Sequence, residues 1–286
     1  MRSCKKFRAL IQQPGVFQIP GAYDCITAKM VEKAGFPAVY LTGSGISLSL
    51  TAQPDLNTVS YLELRQVAQN IRGVVEIPML VDIDTGFGAP LNLYRLVKEF
   101  ERMDIAAVQI EDQKVPKKCG HELGRKLVDP EEMVRRIQTI YDNREENGLV
   151  IVARTDARTS YGVDEAIRRG NIYCEAGADI IFIESPESYD EVKRIATEVK
   201  GPVLFNNVEG GRSPFLTVDQ LDAAGVNCTI YPNAQTRIVT KKTMELLNTL
   251  KCEGTTAKMM DQMFTHKEMF SIFDHDEWVK IEEKYI

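Results

Sequence analysis

Short runs of apolar residues recur along almost the whole chain, each closed by a polar or glycine-rich segment and most followed by a stretch with helical spacing. In order they are Val16–Pro20, Ala38–Thr42, Pro78–Asp84, Ala107–Asp112, Leu149–Arg154, Ile180–Glu184, Val203–Asn207 and Cys228–Pro232. Runs this short and this continuously apolar predict strands buried on both faces. Between them, Ala28–Gly35, Leu91–Met103, Pro130–Tyr141, Val163–Ala176, Tyr189–Val199 and Thr217–Ala224 show helical periodicity, with Gly35, Gly177 and Gly225 at helix ends. Strand and helix alternating eight times predicts a parallel (β/α)8 barrel of the TIM type; a doubly wound open sheet is the second reading. No strand is predicted after Thr236. Lys241–Leu250, Thr255–Phe264 and His266–Phe273 read as helices, and their methionines, Met244, Met259, Met260, Met263 and Met269, as helix packing or a subunit contact. Residues 1–286 therefore form one barrel domain, with 236–286 as a helical C-terminal extension.

Composition narrows the class. The chain has 286 residues, 44% apolar and 27% charged, in the range of a globular enzyme with a sizeable core. A formal net charge of −6 argues against a nucleic-acid partner. The N-terminus lacks the apolar core of a signal peptide, and no run approaches the ~20 residues of a membrane span, so a cytoplasmic protein without a membrane partner is expected. Six scattered cysteines with no C-x-x-C pair imply neither a disulfide framework nor a structural zinc site.

The active site of such a barrel lies at the C-terminal ends of its strands. Those ends are unusually polar here: Asp24, Gly43-Ser44-Gly45, Asp82 and Asp84, Glu111 and Asp112, Arg154 and Asp156, Glu184, Asn206 and Glu209, and Tyr231-Pro232. Asp82 and Asp84, two apart on a strand, are expected on one face, with Glu111 as a third acid. Hard oxygen ligands without a histidine or cysteine cluster indicate Mg²⁺ or Mn²⁺, held partly through water. Gly43-Ser44-Gly45 offers open backbone N–H groups ahead of a helix, a cradle for a carboxylate or phosphate. A buried Arg154 requires anionic partners, either neighbouring acids or a substrate carboxylate held bidentately. The stretch Val115 to Glu122 sets Cys119 between Lys117, Lys118 and His121 beside Gly120, which predicts a reactive thiol on a mobile loop. His266 and His275 read as surface or packing residues.

Lys117-Lys118-Cys119-Gly120-His121, Val81 to Gly88 (VDIDTGFG) and Ala153-Arg154-Thr155-Asp156-Ala157, in this order and at fitting strand ends, resemble the isocitrate lyase/phosphoenolpyruvate mutase superfamily. The similarity runs from about Pro20 to Thr255, and the cysteine loop is similar to the lyase branch. The resemblance implies a barrel that exchanges its last helix with a neighbour, a homotetramer, and Mg²⁺-dependent carbon–carbon cleavage of a dicarboxylate, a 2-hydroxy diacid. It implies that Asp82, Asp84 and Glu111 organise the metal and that Asp55 lies near the reacting hydroxyl. Ser44 and Gly45, helped by Arg154, would hold the α-hydroxy or α-keto acid end. Glu184, Asn206 and His121 would surround the other carboxylate. Tyr40, Gly43, Lys117, Gly120 and Glu209 complete the expected substrate-facing set, and Cys119 would protonate the enolate that leaves.

Three substrate classes fit the lyase branch: 2-methylisocitrate, 2,3-dimethylmalate and related 2-alkylmalates, and oxaloacetate cleaved by water. Asn206 to Pro214 (NNVEGGRSP) departs from the T-E-x-G form associated with methylisocitrate lyases and is more similar to alkylmalate lyases and carboxyphosphonoenolpyruvate mutases. A 2-alkylmalate such as 2,3-dimethylmalate is therefore expected. A phosphonomutase in the same barrel and a non-catalytic metabolite-binding protein are the readings from other classes.

Overall fold

Alternation along a strand decides which side chains see a barrel's interior, because successive residues point to opposite faces. In the computed structural model, which describes residues 2–120 and 122–286, the eight apolar runs are the strands β1 (Phe17–Ala22), β2 (Val39–Leu41), β3 (Met79–Asp82), β4 (Ala107–Glu111), β5 (Val150–Thr155), β6 (Ile180–Ile183), β7 (Val203–Asn206) and β8 (Cys228–Tyr231). All pair in parallel and in sequence order, and β1 bonds to both β2 and β8. The sheet is a closed barrel, which excludes the open-sheet reading.

Each strand splits its residues cleanly. Ala38, Leu80, Ala107, Val152, Phe182 and Leu204 pack together inside the barrel, whereas their neighbours Val39, Val81, Val108, Ile151, Ile181 and Val203 pack outward in the cluster shared with the helices. Continuing the inward columns toward the strand ends, by two residues in β2, β3, β5, β6 and β7 and by four in β4, replaces apolar side chains by Tyr40, Asp82, Arg154, Glu184, Asn206 and Glu111. The polar mouth is thus the last layer of the same columns that build the core.

The helices are α1 (Ser3–Ile11), α2 (Cys25–Lys33), α3 (Gly43–Thr51), α4 (Tyr61–Arg72), α5 (Pro90–Arg102), α6 (Pro130–Tyr141), α7 (Ala157–Tyr161), α8 (Val163–Glu175), α9 (Tyr189–Glu198), α10 (Val218–Ala224), α11 (Ala234–Glu253), α12 (His266–Ile272) and α13 (His275–Glu283), with a 3-10 turn at Ala257–Gln262. Asp24, counted above among the mouth residues, instead caps α2: its carboxylate accepts the Thr27 N–H at 2.7 Å. Helix α4 was not anticipated, although Ser60 and Glu63 form a reciprocal capping box at its start.

Helix α1, also not anticipated, places Phe7 in the interior cluster, fully buried and edge-on to Phe17 at 5.7 Å between ring centroids. Asp104 anchors its first turn by accepting from the backbone N–H and hydroxyl of Ser3. Phe7→Ala leaves a cavity the closed barrel cannot refill, and a loss of about 3–5 kcal/mol in unfolding free energy is expected in a denaturant titration.

The chain divides into two compact units, one ending at Gln235 and the other running from Thr236 to Ile286. The second is entirely helical, and most of its large apolar side chains are exposed, among them Met244, Leu247, Met260, Phe264 and Trp278. None of the six cysteines forms a disulfide. Among the described residues no helix is long and apolar enough to cross a membrane.

Candidate active site

At the barrel mouth, Arg154 at the end of β5 is the central cation, and its position is dictated by buried acids. Its Nε and Nη2 donate to Asp156 at 3.0 and 2.9 Å, its Nη2 lies 3.4 Å from Glu184, and its Nε lies 3.5 Å from Glu111. The Phe182 ring supports the guanidinium from 5.2 Å. Burial alone would lower the pKa of Arg154, but Asp156, Glu111 and Glu184 hold it well above its usual range. Glu184 is itself fixed, accepting from Asn206 Nδ2 at 3.1 Å and from the Ser185 N–H at 2.8 Å.

Across the mouth, the Tyr40 hydroxyl lies 3.0 Å from Asp82 Oδ2 and 3.2 Å from Gln109 Oε1. Asp82 and Asp84 do converge, but not through the strand pleat. Strand β3 ends at Asp82, and Asp84 sits in a left-handed turn (φ 47°) whose N–H donates to Asp82 Oδ1 at 3.1 Å. Gly43 lies against both carboxylates: a Cβ there would meet Asp82 Oδ2 at 3.2 Å and Asp84 Oδ1 at 3.5 Å. Gly43, Ser44 and Gly45 are the first turn of α3, and the N–H of Gly45 is engaged by its cap Thr42 at 3.4 Å, so the cradle narrows to the turn's other donors.

The cysteine loop is closed over this mouth. Its neck is held by the Gln113↔Leu127 bridge and by the Lys114 N–H donating to Lys126 O at 2.7 Å. Gln113 exchanges two hydrogen bonds with the backbone of Lys118, at 2.9 and 3.0 Å, and the Ser185 hydroxyl donates to Gly120 O at 3.1 Å. Lys117 has partners that its place in the sequence does not suggest. Its ammonium is buried and turns into the barrel, 2.5 Å from Asp55 and 2.8 Å from Asp84. Those acids, with Glu111 and Asp82, raise its pKa against the opposing effect of burial. His121 lies outside the described residues.

This arrangement leaves a partly open cavity of about 40 Å³, room for roughly three waters. Of the expected residues, Tyr40, Ser44, Asp55, Asp82, Cys119, Gly120, Arg154, Glu184 and Asn206 line it. Gly43, Gly45, Asp84, Glu111 and Lys117 stand just behind, as their contacts above show. Glu209, half-buried in the loop after β7, is not part of the lining. Thr42, Phe182, Val208, Ile230 and Asn233 also line the cavity and were not anticipated. For Phe182 and Ile230 the signal was present, since both occupy inward columns of their strands. Asn206 Oδ1 and Asn233 Oδ1 are buried and have no hydrogen-bond partner among the described residues.

The charge balance bears on a metal. Six buried acids (Asp82, Asp84, Glu111, Asp112, Asp156 and Glu184) surround four buried cations (Lys117, Arg125, Arg154 and Arg169). An excess of two negative charges in a low-dielectric site calls for protons or a divalent ion. Burial accordingly pushes Asp84 up to about 6 and Glu111 well above the usual carboxylate range, and Glu111 Oε1 is buried without a hydrogen-bond partner among the described residues. Among the described residues no three ligating groups enclose an ion by themselves. The donor set therefore fits a hard divalent cation that keeps part of its water.

The family model described as phosphoenolpyruvate phosphomutase matches residues 7–251. A 2,3-dimethylmalate lyase of Eubacterium barkeri is 44% identical over 285 residues, covering 100% of this chain and 99% of the relative. A 2-methylisocitrate lyase of Halalkalibacterium halodurans is 41% identical over 278 residues, covering 97% and 92%. Among solved structures, a phosphonopyruvate hydrolase in complex with oxalate and Mg²⁺ is similar with a TM-score of 0.90 at 28% identity, covering 100% of this chain and 99% of that one.

Proposed function

This chain belongs to the phosphoenolpyruvate phosphomutase family, within the isocitrate lyase/phosphoenolpyruvate mutase superfamily, and from that premise we propose that it is a Mg²⁺-dependent carbon–carbon lyase that cleaves 2,3-dimethylmalate to pyruvate and propionate. The observation that carries the reading is the closure of the Cys119 loop onto Arg154 and Glu184, which sets a proton donor over groups suited to a diacid. The full-length similarity to a 2,3-dimethylmalate lyase and the apolar wall of Phe182, Val208 and Ile230 favour an alkyl-substituted malate.

Asp82, Asp84 and Glu111 would hold the metal, some through water. When bound, Mg²⁺ supplies Lewis-acid stabilisation of negative charge on the substrate's hydroxyl and adjoining carboxylate oxygens. Arg154, Ser44 and the open N–H groups of α3 bind the α-hydroxy acid end. Glu184 and Asn206, joined by His121 as the resemblance implies, surround the other carboxylate. Asp55, which lines the cavity and pairs with Lys117, takes the hydroxyl proton. The C2–C3 electron pair then leaves C3 as the enolate of propionate, C2 becomes the keto carbon of pyruvate, and the Cys119 thiol gives its proton to C3. The small cavity under Cys119 and Gly120 fits a loop that lifts to admit the substrate and closes for chemistry.

The test is pyruvate release coupled to NADH consumption by lactate dehydrogenase, with 2,3-dimethylmalate and 2-methylisocitrate assayed separately. The expected preference is for dimethylmalate. Chelation with EDTA is expected to abolish turnover, with Mg²⁺ or Mn²⁺ restoring it. Preference for methylisocitrate would transfer the reading to the substrate named for the 41%-identical relative; pyruvate from neither substrate would sink it.

We further propose that the apolar faces of residues 236–286 pack against other copies of this chain, in a helix-exchanged homotetramer. Light scattering should give four chains of 32.2 kDa per particle; a monomer mass would contradict it.

A further inference from the structure

We propose that Arg125 is a positioning residue that sets the electrostatic surroundings of Arg154 and the stem of the Cys119 loop together, acting on both through Asp156. Arg125 belongs to the returning limb of the loop, two residues before the neck at Leu127. Its side chain is buried, with Nη1 donating to Asp156 Oδ1 and Nη2 to the Thr159 hydroxyl. Asp156 Oδ1 is the same oxygen that accepts from Arg154 Nη2, and the Asp156 backbone is itself fixed by its N–H donating to Asp112 Oδ1 at 3.0 Å. One fully buried carboxylate is thus clamped by a guanidinium from the loop and by the guanidinium that lines the cavity.

The consequence is electrostatic. Arg154 and Asp156 alone make a neutral pair, and Glu111 and Glu184 already face the same guanidinium. An anionic substrate would gain little from it. Arg125 supplies a second positive charge, so Arg125, Asp156 and Arg154 together carry one net positive charge, which offsets part of the negative charge of Glu111 and Glu184 and lessens the repulsion a substrate carboxylate meets at Arg154. The same contact moors the loop stem, while Gly120 at the tip packs on Arg154 and Glu184. Arg154 is therefore addressed by the loop from both limbs.

Arg125→Gln and Arg125→Lys are compared with the unaltered enzyme in two measurements. The first, alkylation of Cys119 by iodoacetamide followed by peptide mass mapping, needs no substrate and does not depend on the proposed reaction. The glutamine variant is expected to react at Cys119 about tenfold faster, and the lysine variant less so, while buried Cys228 keeps its original rate. The second is steady-state turnover of 2,3-dimethylmalate, which rests on the proposed function. There Arg125→Gln is expected to raise KM about tenfold or more, the scale of a lost charge-assisted contact, with kcat less affected. Arg125→Lys, which keeps the charge, should recover most of KM. An unchanged Cys119 rate with an unchanged KM overturns the proposal. So does equal acceleration at Cys119 and Cys228, which marks a merely structural role. Should the unaltered enzyme not turn over dimethylmalate, the functional reading fails and the alkylation result alone decides the role of Arg125.

Discussion

Serine in place of Cys119 is expected to lower kcat for carbon–carbon cleavage by about 10²- to 10⁴-fold, the usual contribution of a positioned general acid or base. The substitution is nearly isosteric, so the closed loop should persist: Gln113 still holds the backbone of Lys118, and Ser185 still donates to Gly120 O. What changes is acidity. A serine hydroxyl is a far weaker acid than a thiol, and an enolate formed at C3 would wait for a proton or recombine with pyruvate. Pyruvate and Mg²⁺ binding, which rest on Arg154 and the acids in this account, should remain close to the original, as isothermal titration can show. Retention of most activity would remove Cys119 from the mechanism.

A methyl group at residue 120 is expected to be about as damaging for a different reason. A Cβ on Gly120 would stand 2.6 Å from Glu184 Oε2 and closer still to Arg154 Nη2. Neither neighbour can give way, because Asp156 grips Arg154 through two N–H groups while Asn206 and Ser185 hold Glu184. The loop must therefore lift, carrying Cys119 away from the cavity. A displacement of about 1 Å at a reacting group costs on the order of 10²-fold in rate, so Gly120→Ala should lose at least that in kcat/KM. The melting temperature should barely move, since much of the loop's surface faces solvent. A variant with normal kcat/KM would show that closure in the form seen here is not the working state.

Much of the architecture was legible because the physics that builds it is periodic. A parallel strand covered on both faces is an apolar run, and the residue that continues its inward column into the mouth is polar in β2 through β7; that regularity located Asp82, Glu111, Arg154, Glu184 and Asn206. Residues placed by turns were read less well. Asp84 reaches the site through a left-handed turn, Asp24 turned out to cap a helix, and Gly45 gives its N–H to Thr42. The capping box at Ser60 and Glu63 was a readable signal that went unused. Long-range electrostatics was not legible at all. Nothing near Lys117 in sequence indicates that its ammonium pairs with Asp55 and Asp84, 62 and 33 residues away. Arg125 likewise looks like any surface cation of a polar loop until Asp156 is seen beneath it.

The central claim is that C2–C3 of a 2-alkylmalate breaks and that C3 is protonated within the closed site. It is tested most directly by proton NMR of the reaction with 2,3-dimethylmalate and Mg²⁺ in D₂O, the propionate being examined again as its ester with a chiral alcohol, which separates the signals of its two α-hydrogens. The account predicts pyruvate and propionate in equal amounts, the propionate carrying one deuterium at C2 in a single configuration, because the thiol of Cys119 exchanges with solvent and delivers from one face. Unchanged dimethylmalate, or propionate labelled without stereochemical preference, would contradict it.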